Sequence, residues 1–191
     1  VIRNIITYNQ YPKYPNGCEA VALYILLKYH NVNVDIESVM DALPKGRTPY
    51  KKDGVNYGGD PNYEFLGDPR SITGWGIYDI GLAETANKFK ANIINGTGMD
   101  FSKVISLVDT NRPVVVWTSI NLMDSYISKR WISDKTGKTI NWKRGNHAVV
   151  VIGYNDNSIV VSDPIDGKIK YFNRQKFINM YNYMGRRALY Y

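Results

Sequence analysis

The chain has 191 residues and a net charge of +7, with 44% hydrophobic and 21% charged residues. That balance suits one folded domain of ordinary size, residues 1–191, and excludes a disordered or low-complexity chain. The longest apolar runs, such as Ala148-Val149-Val150-Val151-Ile152, are far too short to cross a bilayer, so no transmembrane segment is expected.

The first residues, Val1-Ile2-Arg3-Asn4, carry neither an initiator Met nor the apolar core of a signal peptide, so a mature or trimmed form is expected. Pro15-Asn16-Gly17 signals a turn, and Cys18 to His30 reads as a helix that is apolar over a broad face and therefore largely buried. Glu19 falls in its first turn, where an anion suits the helix dipole, and His30 at its far end suits the opposite pole. Asp35 stands where an N-cap is expected for a short second helix ending before Pro44. Residues 45–75, rich in Gly, Pro, Asp, Tyr and Lys, show little periodicity and read as a long irregular loop or flap.

Helical spacing returns at Ile77 to Phe89 and again after Asp100. The period then changes. Pro113 to Ser119, His147 to Tyr154 and Ser158 to Ser162 read as buried strands, with a hairpin at Trp131 to Trp142. Lys168 to Phe172 and Ala188 to Tyr191 are further strands around a helix at Arg174 to Tyr183. Helices first and strands later predict an α+β fold with N-terminal helices packed on a C-terminal antiparallel sheet.

Cys18 is the lone cysteine, which excludes an internal disulfide and a multi-cysteine zinc site. Its place after Gly17 at a helix start aims backbone N–H groups at the sulfur and predicts a thiolate of lowered pKa; the alternative is a small buried hydrophobe. His147 opens an apolar strand, as a cleft-facing base or as a hydrogen-bonded strand-edge histidine. If that strand pairs with Ser158–Ser162 across Asn155–Asn157, Asp163 comes beside His147, where a carboxylate would fix the imidazole tautomer. Alternatively Asp163 only makes the turn before Pro164. Gln10, eight positions before Cys18, could donate its amide to an oxyanion with the Cys18 backbone N–H as second donor.

Cys, then His, then Asp is also the chain order of the papain-like clan. The segment Gln10-Tyr11-Pro12-Lys13-Tyr14-Pro15-Asn16-Gly17-Cys18-Glu19-Ala20-Val21-Ala22-Leu23 resembles the opening motif of bacterial C-39-like peptidases, relatives of the peptidases that remove double-glycine leaders from bacteriocins. Gly59 to Arg70, His147 to Tyr154 with Ser162-Asp163-Pro164, and Tyr181 to Ala188 extend the resemblance over nearly the whole chain. It implies a papain-like fold with Cys18 as nucleophile, His147 as base, Asp163 as orienting acid and Gln10 as oxyanion donor. The Gln-to-Cys spacing is longer here than in the leader-processing members, and no transporter is attached.

The activity implied is hydrolysis of a peptide or isopeptide bond through a thioester, with no cofactor and no metal. The Gly59–Arg70 loop could line the cleft, and its Asp60, Asp68 and Arg70 either stabilise that loop or touch substrate; Asp-Pro turns explain them without a metal. Two alternatives remain: a non-catalytic peptide- or wall-binding module of the same fold, and an acyl transferase or wall-amide hydrolase with the same three residues. The partners expected are a peptide or protein and, from the basic pairs Lys129-Arg130, Lys143-Arg144 and Arg186-Arg187, an anionic wall polymer. Nucleic acid is not expected, because no nucleic-acid motif accompanies the charge. The resemblance places the protein outside the cell or at the wall of a Gram-positive bacterium.

Overall fold

A computed structural model describes all residues, Val1–Tyr191. An extended N-terminal segment leads into helices α1 (Cys18–Tyr29) and α2 (Ile36–Ala42). Asp35 caps α2 as expected, its carboxylate accepting from the Ser38 N–H at 2.7 Å. The stretch read as irregular instead holds four short strands: β1 (Lys45–Gly46), β2 (Tyr50–Lys52), β3 (Val55–Gly58) and β4 (Phe65–Leu66). Strands of two to four residues are too short to show a two-residue period. The turn between β2 and β3 was nonetheless written in the sequence, because Asp53-Gly54, at φ +50° and +80°, is a two-residue hairpin turn.

After these come α3 (Asp79–Asn87), β5 (Ile94–Asn95), α4 (Phe101–Asp109), β6 (Val114–Ser119), β7 (Ile127–Ser133) and β8 (Thr139–Lys143). The chain ends with β9 (Asn146–Tyr154), β10 (Ser158–Asp163), β11 (Lys168–Asn173), α5 (Arg174–Tyr183) and β12 (Ala188–Tyr190). Six strands form an antiparallel sheet in the order β11-β10-β9-β6-β12-β5. Every residue of β6 is buried, as its continuous apolar run predicts for a strand covered on both faces. Helices α1 and α4 pack on β9, and α5 packs on β6, β10 and β11. A second sheet, β2-β3-β7-β8, pairs β3 with β7 in parallel. The two halves of the chain are therefore interleaved here, and the division into early helices and late strands is only partial. No helix is long and apolar enough to cross a membrane.

One irregularity in the large sheet positions the site. Strands β9 and β10 pair Ile159 with Tyr154 and Val160 with Gly153, but then Val161 with Val151 and Ser162 with Val150. Ile152 is the extra residue of a β-bulge. Side chains alternate faces along a strand, so a one-residue slip exchanges faces. Without the bulge Asp163 would fall opposite Val150 and point away from His147. With it, Asp163 falls opposite Val149, on the face His147 shares and diagonal to it.

The turn before α1 is equally constrained. A Cβ at Gly17 would lie 2.7 Å from the Tyr14 Cβ and 3.0 Å from the Met40 Cε. Gly17→Ala must push this turn outward and is expected to cost about 1–3 kcal/mol. Denaturant unfolding checks this, and an unchanged midpoint would show that the turn yields freely.

Candidate active site

Helix α1 is buried along most of its length, including Ala20 to Leu23 and Ile25 to Leu27. Tyr24, Lys28 and Tyr29 are half-buried, and at the helix start Cys18 keeps 6% of its surface exposed. The Ala148 backbone N–H, next to His147, is directed at the Cys18 sulfur, so helix start and strand start do meet. The thiol's own hydrogen bond runs elsewhere: Sγ donates to Glu19 Oε2 at 3.2 Å. Burial first, and then the Glu19 and Asp163 charges, push the thiol well above its ordinary pKa, against the opposing pull of the Ala148 N–H. The lowered pKa expected from the helix start alone is therefore overturned. Desolvation and a neighbouring carboxyl outweigh the backbone donors, and the resting group is a neutral thiol.

The place of Glu19 in the first turn says nothing of burial, and its side chain turns inward and is 1% exposed. Its Oε1 accepts the Ile77 N–H at 3.2 Å. Burial raises its pKa to about 7, although its own N–H, the Cys18 thiol and the Ile77 N–H all pull downward.

His147 Nε2 and Asp163 Oδ1 are 2.6 Å apart and both residues are buried. Asp163 Oδ1 also accepts the Ile165 N–H at 3.0 Å, and Oδ2 accepts from Lys170 Nζ at 2.9 Å. Burial by itself would raise the Asp163 pKa, but the bond and charge of His147 with the Ile165 and Lys170 donors outweigh it and bring it to about 2. An ionised Asp163 requires Nε2 to carry the proton, which leaves Nδ1 as the nitrogen free to accept one. Lys170 continues the chain outward to Asn121 Oδ1 at 3.2 Å and Asp166 Oδ2 at 3.2 Å. Sequence reasoning missed Lys170, because a lysine in a polar β-strand gives no signal of its own.

Gln10 is buried and bridges the two halves of this site. Its backbone N–H donates to Pro164 O at 2.8 Å, and its Nε2 donates to Pro15 O at 2.9 Å, leaving one amide hydrogen unused. A cleft of about 460 Å³ is lined by Asn146, next to His147 in the chain, by Asn16, two positions before Cys18, and by Gly74, Trp75 and Trp142 among others. Both polar side-chain atoms of Asn146 are buried without a partner, as is Thr118 Oγ1 on the strand position facing His147. A second cavity of about 490 Å³ is lined by Lys45, Gly46, Arg47, Gly59, Glu64, Asp134 and Lys135. None of these adjoins Cys18, His147 or Asp163 in the sequence, and none is a nucleophile.

The other residues singled out in the sequence lie outside this arrangement. His30 stacks on Tyr191, ring centres 4.2 Å apart. Asp60 accepts from Asn62 and Thr136, Asp68 accepts the Arg70 N–H, and Arg70 pairs with Glu37 and Asp41. Arg186 and Arg187 pair with Asp100 and Asp79, which removes them from the free basic surface.

Comparison with known proteins extends the resemblance seen in the motifs. The model of the Peptidase_C39 like family matches residues 2–189. The uncharacterized protein YvpB of Bacillus subtilis (strain 168) is 28% identical over 189 residues, covering 97% of this chain and 74% of that protein. The crystal structure of a candidate C39-like peptidase from Bacillus anthracis superposes with a TM-score of 0.87 at 27% identity, covering 100% of this chain and 96% of that one.

The environment of Asp163 sets an acid signature. With a folded pKa near 2 against an unfolded value of about 3.9, its ionised form stabilises the fold above that unfolded value, by roughly 2 kcal/mol. This contribution is lost as pH falls through about 2. Asp163→Asn is therefore expected to unfold more easily than wild type at neutral pH, with the difference shrinking as the medium is acidified. Urea unfolding across that range checks it; a difference independent of pH would refute the ion-pair account.

Proposed function

This chain belongs to the Peptidase_C39 like family, and on that premise we propose that it is a cysteine peptidase cleaving a peptide or isopeptide bond with Cys18, His147 and Asp163. The observation that carries the reading is the buried His147–Asp163 pair, with Nδ1 left free at the strand start that meets the Cys18 sulfur.

In this mechanism the Cys18 thiol turns from Glu19 toward His147. Nδ1 takes the thiol proton, and the thiolate attacks the substrate carbonyl carbon. The oxyanion is held by the Cys18 backbone N–H and the unused Gln10 amide hydrogen. The His147 imidazolium returns its proton to the departing amine as the C–N bond breaks, leaving a thioester on Cys18. Water, deprotonated by His147, then attacks the thioester, releasing the acid and restoring the thiol. Asp163 stays ionised throughout, because its low pKa lies below any pH at which the imidazole could act as a base.

The cleft supports a peptide as substrate. Trp75 and Trp142 offer apolar walls, and the unpartnered Asn146 amide offers both a donor and an acceptor to a peptide backbone. We also propose that the protein acts at a Gram-positive cell surface. The β7–β8 hairpin carrying Lys129, Arg130, Lys143 and Arg144 is the surface we assign to an anionic wall polymer.

Turnover of a peptide library tests the reading. Wild type should release new N-termini, Cys18→Ala should abolish release with its fold intact, and Gln10→Ala should lower kcat by about a hundredfold. A protein that binds peptides in the cleft but cleaves none would instead be a binding module.

A further inference from the structure

The mechanism above leaves Glu19 without a role, although its carboxyl accepts the hydrogen bond of the Cys18 thiol. Glu19 is fully buried, takes part in no ion pair, and is fixed at both oxygens, by the Ile77 N–H and the Cys18 thiol. Space for it is reserved: a Cβ at Gly76 would lie 2.4 Å from Oε1. A buried carboxyl with no cation is costly when charged, and far less so when neutral.

We propose that Glu19 is a further catalytic residue, whose neutral carboxyl donates a hydrogen bond to the Cys18 thiolate when His147 has taken the thiol proton. The inference rests on Cys18 being the nucleophile. In the resting state the thiol donates and Glu19 accepts. On transfer of the thiol proton to His147 Nδ1, the carboxyl keeps its own proton and reverses the bond, becoming Oε2–H···S⁻. No proton leaves the pair except the one on His147. An ionised Glu19 could not do this, because two anions would then stand 3.2 Å apart without a cation between them.

The groups facing Glu19 set the direction of its pH dependence. Cys18 faces it from α1 and Tyr78 from the turn before α3, whereas Trp142 on β8 brings no charge. Behind the sulfur stand Asp163 on β10 and His147 on β9. Burial holds the Glu19 pKa up at about 7, so the carboxyl is a donor below neutrality and a repelling charge above it.

Iodoacetamide alkylation of Cys18, followed as a function of pH, reads the thiol without requiring peptidase activity. At about pH 8, Glu19→Gln should react about tenfold faster than wild type, a shift of one pKa unit, and the difference should vanish at acid pH. Glu19→Leu, which removes charge and donor together, should also gain at alkaline pH but react about tenfold more slowly than wild type at about pH 5.5. Infrared titration of the wild-type carboxyl, repeated in Cys18→Ala, covers the case in which either variant fails to fold; the Glu19 titration should move when the thiol is removed. Profiles that superimpose on wild type, or a Glu19 titration indifferent to Cys18, would overturn the proposal while a His147-dependent alkylation keeps Cys18 as nucleophile. A native protein that resists alkylation at every pH would overturn both.

Discussion

The hydrogen bond between His147 Nε2 and Asp163 Oδ1 is the contact on which the rest of the candidate site depends. Placing an ionised carboxylate inside a sheet is costly unless its oxygens are satisfied, and here the imidazole, a backbone N–H and Lys170 together satisfy them. The same bond decides which imidazole nitrogen is left free to accept a proton. It exists because one extra residue, Ile152, shifts the β9–β10 register. The chain also anchors that residue from outside, since the Ile2 N–H donates to the Ile152 carbonyl at 2.7 Å. A local backbone irregularity, rather than any side chain, brings the two polar groups to one face.

At the Cys18 end opposing pressures act on the thiol. A helix start and the Ala148 N–H favour a thiolate, while burial, Glu19 and Asp163 oppose it more strongly in the resting state. A thiol held neutral in this way is protected from casual oxidation, because the thiolate is the reactive form. In the proposed mechanism, formation of the ion pair with His147 depends on changes that accompany substrate: water displaced from the cleft, an oxyanion drawing charge from sulfur, and Gln10 completing the donor set. Gln10 links these parts physically, because it bonds to Pro164, next to Asp163, and to Pro15, in the turn that delivers Cys18.

Much of this could be read in the sequence, and the failures have definite causes. The long elements were legible because α1, β6 and β9 carry continuous apolar runs long enough to reveal their period. The Asp35 cap and the Asn155–Asn157 turn, where Asn155 Oδ1 accepts from the backbone of Asn157 and Ser158, obey local rules. The strands between Lys45 and Leu66 were missed for want of length, although Asp53-Gly54 marked one turn. The meeting of His147 and Asp163 was foreseen from a plain three-residue turn that sets Tyr154 opposite Ser158; the chain instead pairs Tyr154 with Ile159 and recovers the shared face through a bulge that has no side-chain signature. For Glu19 the sequence indicated only its place in the first turn of α1, and the packing of Gly76 and Trp142 shows the carboxyl turned inward.

The central claim is that Cys18 forms a covalent acyl bond with substrate. Rapid acid quenching during turnover of a cleavable peptide, followed by mass mapping of the digested protein, tests it directly. The account predicts a thioester on the peptide containing Cys18, absent from Cys18→Ala and greatly reduced in His147→Ala. Turnover with no adduct on Cys18, or an adduct on another residue, would contradict it.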